Sequence, residues 1–506
     1  MRAEGTPQAL LLFTDREGER QLLADYFMAL SRLSAPPQKV LSFYGVGGRG
    51  KSTLLAKAVH NFQASAASDI HTVSDALTIA SVDLDEDRID RTLPAAEFLF
   101  RIRNALKRAG VTTPLFDYVY LTYLNEELPG QLSTLQDNCP LKWAGSALDS
   151  YDLIHDLASV VGKEIVQSLP GMRSVLALWP KLHKWFEDSQ AQRRFGGKPE
   201  NWSQSERLDR MPPILADDLL ARREHNPNGG ICVIIDGFER IQSTEHLNDA
   251  QKGLQRLIAA CKGQTGIGWV IVGREKLRWC ELYNEPYETD TWDRRIKSCL
   301  LDGLAESDSR DYLTTRANWE RNLRDPARPE VATLIEQLID PILDGACEHH
   351  TDHATPRSFL PYFLDLAIAL IATLGKDFTP EVLGVAPNEM ELRFLGTLRR
   401  YNPKLVEAME VLSLALSFDQ ELFVSMVQEH FLPDLKRQDF HRLVGGDYCF
   451  VIEDSDNPGR YRFHRHMQAC LLRTQLDRPE DKKAAQEVIE WLLKRYAKQA
   501  DLEAPV

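Results

Sequence analysis

The 506-residue chain has no paired-cysteine motif, no long apolar run and no excess of positive charge. Its eight cysteines (139, 232, 261, 280, 299, 347, 449 and 470) include no CxxC, which argues against a disulfide scaffold and predicts reduced, mostly buried thiols inside a cell. The N-terminal segment MRAEGTPQALLLF holds only the short apolar run 9–12, too little for the core of a secretory signal. The apolar stretches around 153–182 and 359–374 are interrupted by Asp156, Lys163, Glu164 and Arg173, or by Pro361 and Asp365. Neither reaches the ~18 uninterrupted apolar residues of a spanning helix. These absences predict a soluble, cytoplasmic protein without a membrane segment. Lys and Arg number 60 against 74 Asp and Glu, a formal net charge of −14. That argues against broad electrostatic binding of nucleic acid or anionic lipid and leaves room only for a local basic patch. No internal repeat, low-complexity segment or guanine-reading NKxD or TKxD motif occurs.

At about 150 residues per domain the length predicts three to four domains, and 43% hydrophobic residues suffice for several cores. Residues 18–33 carry Leu22, Leu23, Tyr26, Phe27 and Leu30 at helical spacing. Apolar runs at 40–44, 77–84, 231–235, 269–272 and 296–301 read as buried parallel strands, separated by helical patterns at 52–64, 93–109 and 244–262. The alternation predicts an α/β fold, a parallel sheet with helices on both faces. Between 111 and 225 the strand signal stops, which predicts a helical insertion. Residues 304–392 read as a helical lid. Helices near 404–416, 419–430 and 434–443, then strands at 447–453 and 460–464 joined by the turn 454–459, follow the order of a winged helix. The expected division is an N-terminal segment 1–38, a phosphate-loop domain 39–303, a lid 304–392, a winged helix 393–480 and a C-terminal helix within 481–506.

The strongest chemical signal is Gly45-Val-Gly47-Gly48-Arg49-Gly50-Lys51-Ser52-Thr53, a full G-x4-GK[ST] match between a predicted strand and a predicted helix. Glycines let the backbone wrap a phosphate chain with successive N–H groups pointing inward. Lys51 supplies a cation for the β- and γ-phosphates, the Ser52 hydroxyl is a ligand for Mg²⁺, and the following helix adds its dipole. A phosphate loop needs an acid at the end of a second strand, and the run 231–235 ends in Asp236. Glu239, three residues on, is placed to orient or deprotonate an attacking water. The strand 269–272 leads into Arg274, a candidate contact for the γ-phosphate. With no guanine-reading motif, ATP is the expected nucleotide.

Together, GVGGRGKST, VIIDGFER, VIVGRE and the terminal RFHRHM resemble the STAND class of signal-transduction ATPases, the AAA+-related group that includes NB-ARC and NACHT switches. The resemblance spans about 16–475. It implies that Phe13 and Arg16 of FTDRE lie near the adenine, with Asp15 where the class has glycine. It implies that Pro361 is the lid proline, with Pro356 as the fallback. It also implies that His464 reaches the β-phosphate of ADP in the closed state, with Arg465 where the class has aspartate. Arg240 stands where the NACHT pattern has its third acid. The implied function is an ATP/ADP switch that self-associates in its ATP state, hydrolyses slowly and answers to an unidentified protein trigger or effector. The rivals are an AAA+ DNA-remodelling ATPase reading duplex through its winged helix, and a nucleotide-held scaffold that never hydrolyses. A small-molecule kinase would leave the lid and winged helix without purpose.

Two weaker groups read as solvated. The run Cys347-Glu-His349-His350-Thr-Asp-His353 has metal-ligand residue types at spacing that fits no standard zinc pattern. The acidic segment 83–87 lacks the glycine and terminal glutamate of a calcium loop. The final helix carries an apolar stripe of Ala485, Val488, Ile489, Leu492 and Tyr496, as would the first helix of a repeat array.

Overall fold

The computed structural model describes residues 16–33, 38–68, 77–84, 93–127, 184, 186, 194–225, 229–242, 247–261, 265–279, 292–322, 328–347, 357–380, 387–415, 417–432, 435–444, 450–453, 459–476 and 479–502. These residues form two compact units. One gathers Glu19–Tyr44, Ala58–Cys299 and the described residues from Tyr496 on; the other gathers Gly45–Lys57 and Leu300–Arg495, with 16–18 joined to it.

The first unit is an α/β sheet sandwich. Its strands are β1 (Val40–Tyr44), β2 (Leu77–Asp83), β3 (Gly230–Asp236), β4 (Ile267–Gly273) and β5 (Ile296–Leu300), in the order β2-β3-β4-β1-β5. The β2–β3, β3–β4 and β4–β1 pairs are parallel. All seven residues of β4 and the first six of β3 are buried, which requires cover on both faces and explains why they read as continuous apolar runs. Helices Ala95–Arg108 and Asp249–Ala260 provide part of that cover. The described ends of the expected insertion, helices Pro114–Glu127 and Gln204–His225, share this core through Phe116, Tyr120, Ile214 and Leu219. Inside it Arg103 donates two bonds of 2.7 Å to the two oxygens of Asp117, with both side chains within 2% of full burial. A bidentate pair meets the demand that a buried charge be matched.

In the second unit, helices Glu306–Arg321, Arg328–Gln337, Ile339–Ala346 and Pro361–Leu374 pack around the last of these, PYFLDLAIALIATL, which has proline at its first turn. Being buried almost all round, it needs an internal answer for Asp365. The Tyr312 hydroxyl donates to that carboxyl and Arg316 lies nearby. Helices Pro403–Leu412, Gln420–Gln428 and Arg437–Val444 precede an antiparallel ribbon, β6 (Val451–Glu453) and β7 (Tyr461–Phe463). Helix Pro387–Tyr401 runs straight through the expected boundary at 392. The last helix, Pro479–Leu502, is not bare: Ala485, Val488 and Leu492 join this second core, while Ile489 and Tyr496 of the same predicted stripe are exposed. Among the described residues no helix is long and apolar enough to cross a membrane.

Candidate nucleotide site

The phosphate loop leaves β1 at Gly45 and enters helix Lys51–Ser68 at Lys51, the strand–loop–helix order the motif requires. Two of its glycines are dictated by geometry. Gly45 has φ +152° and a Cβ there would collide with the Leu301 carbonyl oxygen. Gly48 has φ +81°, and its Cβ would lie 3.1 Å from the Cβ of Tyr362. An L side chain at either position meets both backbone strain and a neighbour. The Lys51 ammonium donates to Gly45 O at 2.8 Å and Val46 O at 3.0 Å, so it is held over its own loop. The Ser52 hydroxyl sits on an exposed residue one position into the helix.

Arg49 takes a different direction. Its guanidinium donates to Leu301 O at 2.9 Å and to the Asp302 carboxylate at 3.1 Å. Arg16, a buried residue with φ +64°, donates to the Asp302 carbonyl oxygen. Both expected nucleotide residues are therefore committed to the segment leading out of β5. Leu304 of that segment bonds Phe359 in both directions, just ahead of Pro361. Pro361 occupies the first turn of its helix, and the residue after it, Tyr362, is the one against the loop. The imidazole of His464 stacks on the Tyr362 ring, with centroids 4.4 Å apart and planes 19° from parallel. The second unit thus brings together Arg16, the loop, Pro361 and His464. Phe13 and Pro356 lie outside the described residues.

The acidic residues belong to the first unit. Asp236, half-buried at the end of β3, accepts from the Gly237 N–H at 2.9 Å. A single turn of 3-10 helix, Phe238–Arg240, follows and carries Glu239. The expected base and the expected γ-phosphate contact are joined here: Arg274 Nε donates to Glu239 Oε1 at 2.9 Å.

Register adds a residue that sequence reasoning treated as solvated. Parallel pairing sets Asp83, the last residue of β2, beside Asp236 at the same level of the sheet. Asp83 is half-buried. The available signal was an aspartate near the end of the 77–84 run, as there is at the end of 231–236. Among the described residues no cluster of three or more His, Cys, Asp or Glu could hold a metal. The 348–353 part of the histidine-rich run and residues 85–87 lie outside them.

No family model matches the chain, and no curated protein matches it. Solved structures give weak likenesses. The Walker-type ATPase of Pyrococcus abyssi is 14% identical, covering 91% of this chain and 96% of its own, at a TM-score of 0.30. The Aeropyrum pernix ORC2 protein, solved as ADPNP–ADP complexes, is 11% identical over 94% of each chain at 0.36. A Signal Transduction ATPase with Numerous Domains from Pyrococcus horikoshii, bearing a tetratricopeptide repeat sensor, is 12% identical at 0.44; it covers 97% of this chain, which matches 47% of it. At such scores the functional weight rests on the chain's own residues: a full phosphate loop between a strand and a helix, a tyrosine from a later segment against it, and a histidine stacked on that tyrosine.

Proposed function

We propose that the chain is an ATP/ADP-dependent switch of the STAND type, with its nucleotide on the loop Gly45–Thr53. The observation that carries this is the packing of Tyr362 on Gly48 and of His464 on Tyr362. A small-molecule kinase has no use for a histidine at the end of a C-terminal ribbon stacked on the tyrosine that packs against its phosphate loop. Here it gives the helices and ribbon of 300–495, the proposed lid and winged helix, a stake in which nucleotide is bound. Lys51 and the loop amides bind the phosphates, and His464 answers the β-phosphate of ADP. Ser52 and Asp236 are the hard oxygen donors that would take Mg²⁺, and strand register sets Asp83 beside Asp236. The Mg²⁺ would neutralise charge on the phosphates. Arg274 holds Glu239 in place and competes with any water for its carboxylate. That competition favours slow hydrolysis, and a γ-phosphate drawing Arg274 away would release the base. Self-association in the ATP state follows from the same switch.

The duplex-DNA reading keeps one observation in its favour. Helix Arg437–Val444 and its approach expose Lys436, Arg437, His441 and Arg442 while burying Phe440 and Leu443. One titration series separates the readings. Fluorescent ADP and ATP should bind wild type and lose at least about tenfold in affinity with Lys51→Ala, while duplex DNA at physiological salt leaves the anisotropy flat. Equal ATP binding by Lys51→Ala would sink the switch. Salt-sensitive DNA binding, lost on charge reversal at Arg437 and Arg442, would favour the rival.

A further inference from the structure

We propose that Tyr362 is the positioning residue through which His464 and the phosphate loop sense one another, so that Tyr362 sets how long ADP is retained. This deepens the switch reading and rests on it.

Tyr362 is buried, yet three separate segments converge on it. Its Cβ and Cγ lie 3.1 and 3.8 Å from where a Gly48 Cβ would be, so the loop backbone is in contact with the root of the side chain. Its ring face is covered by the His464 imidazole. Its hydroxyl faces the Glu391 carboxyl, on helix Pro387–Tyr401; burial pushes that carboxyl up, while Tyr362 and Arg473 pull it back. The ring therefore has little freedom to turn.

His464 is equally constrained along its backbone. Its N–H donates to Phe450 O at 2.6 Å, and its carbonyl accepts from Gln468 N at 2.9 Å at the start of helix Arg465–Leu476. With the backbone pinned on both sides, the imidazole is located by what it stacks on. Stacked aromatic pairs contribute beyond plain burial and fix an orientation that a flexible aliphatic side chain does not. A shift of the loop at Gly48 displaces Tyr362 and with it the face on which His464 rests. A shift of the ribbon does the converse, as linkage requires.

The test is a chase of fluorescent ADP from wild type, Tyr362→Phe, Tyr362→Leu, His464→Ala and the Tyr362→Leu/His464→Ala pair. Tyr362→Leu should speed ADP release by about three- to tenfold, the range that loss of one stacked pair covers. It should leave the affinity for a non-hydrolysable ATP analogue within about twofold, because the histidine serves the ADP state. Tyr362→Phe keeps the ring and should restore near-wild-type release. The pair should release ADP no faster than His464→Ala alone, since the tyrosine acts through the histidine. Equal weakening of ADP and the ATP analogue, or additive effects in the pair, overturns the proposal. Should Tyr362→Leu not fold, hydrogen exchange on wild type decides. ADP should slow exchange at 362–364 and 464–468 together with the loop, and protection of the loop alone overturns the proposal. A wild type that binds neither nucleotide overturns the switch reading itself, whereas normal binding with an indifferent Tyr362→Leu overturns only the role of Tyr362.

Discussion

Residues whose chemistry is fixed at constant spacing were legible, and residues defined by a partner from elsewhere in the chain were not. The loop glycines, Lys51 and Asp236 belong to the first kind. Asp83 and Tyr362 belong to the second: one acquires meaning from strand register, the other from a ring that comes a hundred residues later. Glu97 is a further case. It sits on helix Ala95–Arg108 beside β2, and burial raises its carboxyl from 4.5 to about 7 despite Arg101 at 2.9 Å. The folded state thus holds this proton more tightly than the unfolded chain does. The stability contributed is fully present below about pH 4.5 and is lost as pH rises to about 7. Glu97→Gln has no proton to lose there. Relative to wild type it should gain about 1 kcal/mol between pH 5 and pH 8, the full shift being discounted for partial solvent access and the lost ion pair. Urea midpoints at the two pH values measure it, and parallel profiles for the two proteins would refute the assignment.

At the scale of elements, β3 and β4 were visible because each is a nearly continuous apolar run buried on both faces, and the ends of all five strands moved by no more than two residues. Helix ends were less visible, since caps depend on side chains that bond only once the turn has formed. Helix Asp249–Ala260 shows this: the expected start at 244 gives way to a capping box at Asn248. Its side chain accepts from Gln251 N at 2.9 Å, and the Gln251 side chain accepts from Asn248 N at 3.2 Å. Asn248 also donates to Ile241 O, fastening the helix to the turn that carries Glu239. Asn248→Ala removes the cap and that tie. A loss of about 1–2 kcal/mol in the sheet unit is expected in urea unfolding. Asn248→Asp keeps an acceptor for Gln251 N and should recover more than half. A loss no smaller for aspartate than for alanine would show that the box is not the source.

For the whole molecule, the linear order misleads in one respect. Sequence assigns the phosphate loop to the sheet from which it emerges, whereas its contacts group Gly45–Lys57 with Leu300–Arg495. The reason is local: Gly45 and Arg49 lean on Leu301 and Asp302, and Gly48 leans on Tyr362. Among the described residues the two hydrophobic cores share no member, one ending at Ile296 and the other beginning at Leu304. Two cores without common members predict two calorimetric transitions rather than one. Glu97→Gln labels the first, because at pH 8 it should raise only the transition of the sheet unit. ADP without Mg²⁺, at about a hundred times its Kd, adds about 2.7 kcal/mol to whatever holds it. The loop's grouping requires that this increment fall on the other transition and vanish in Lys51→Ala. If the nucleotide instead moves the transition that Glu97→Gln marks, the phosphate loop answers to the sheet after all, and the contacts made by Arg49 and Tyr362 are too weak to carry a switch.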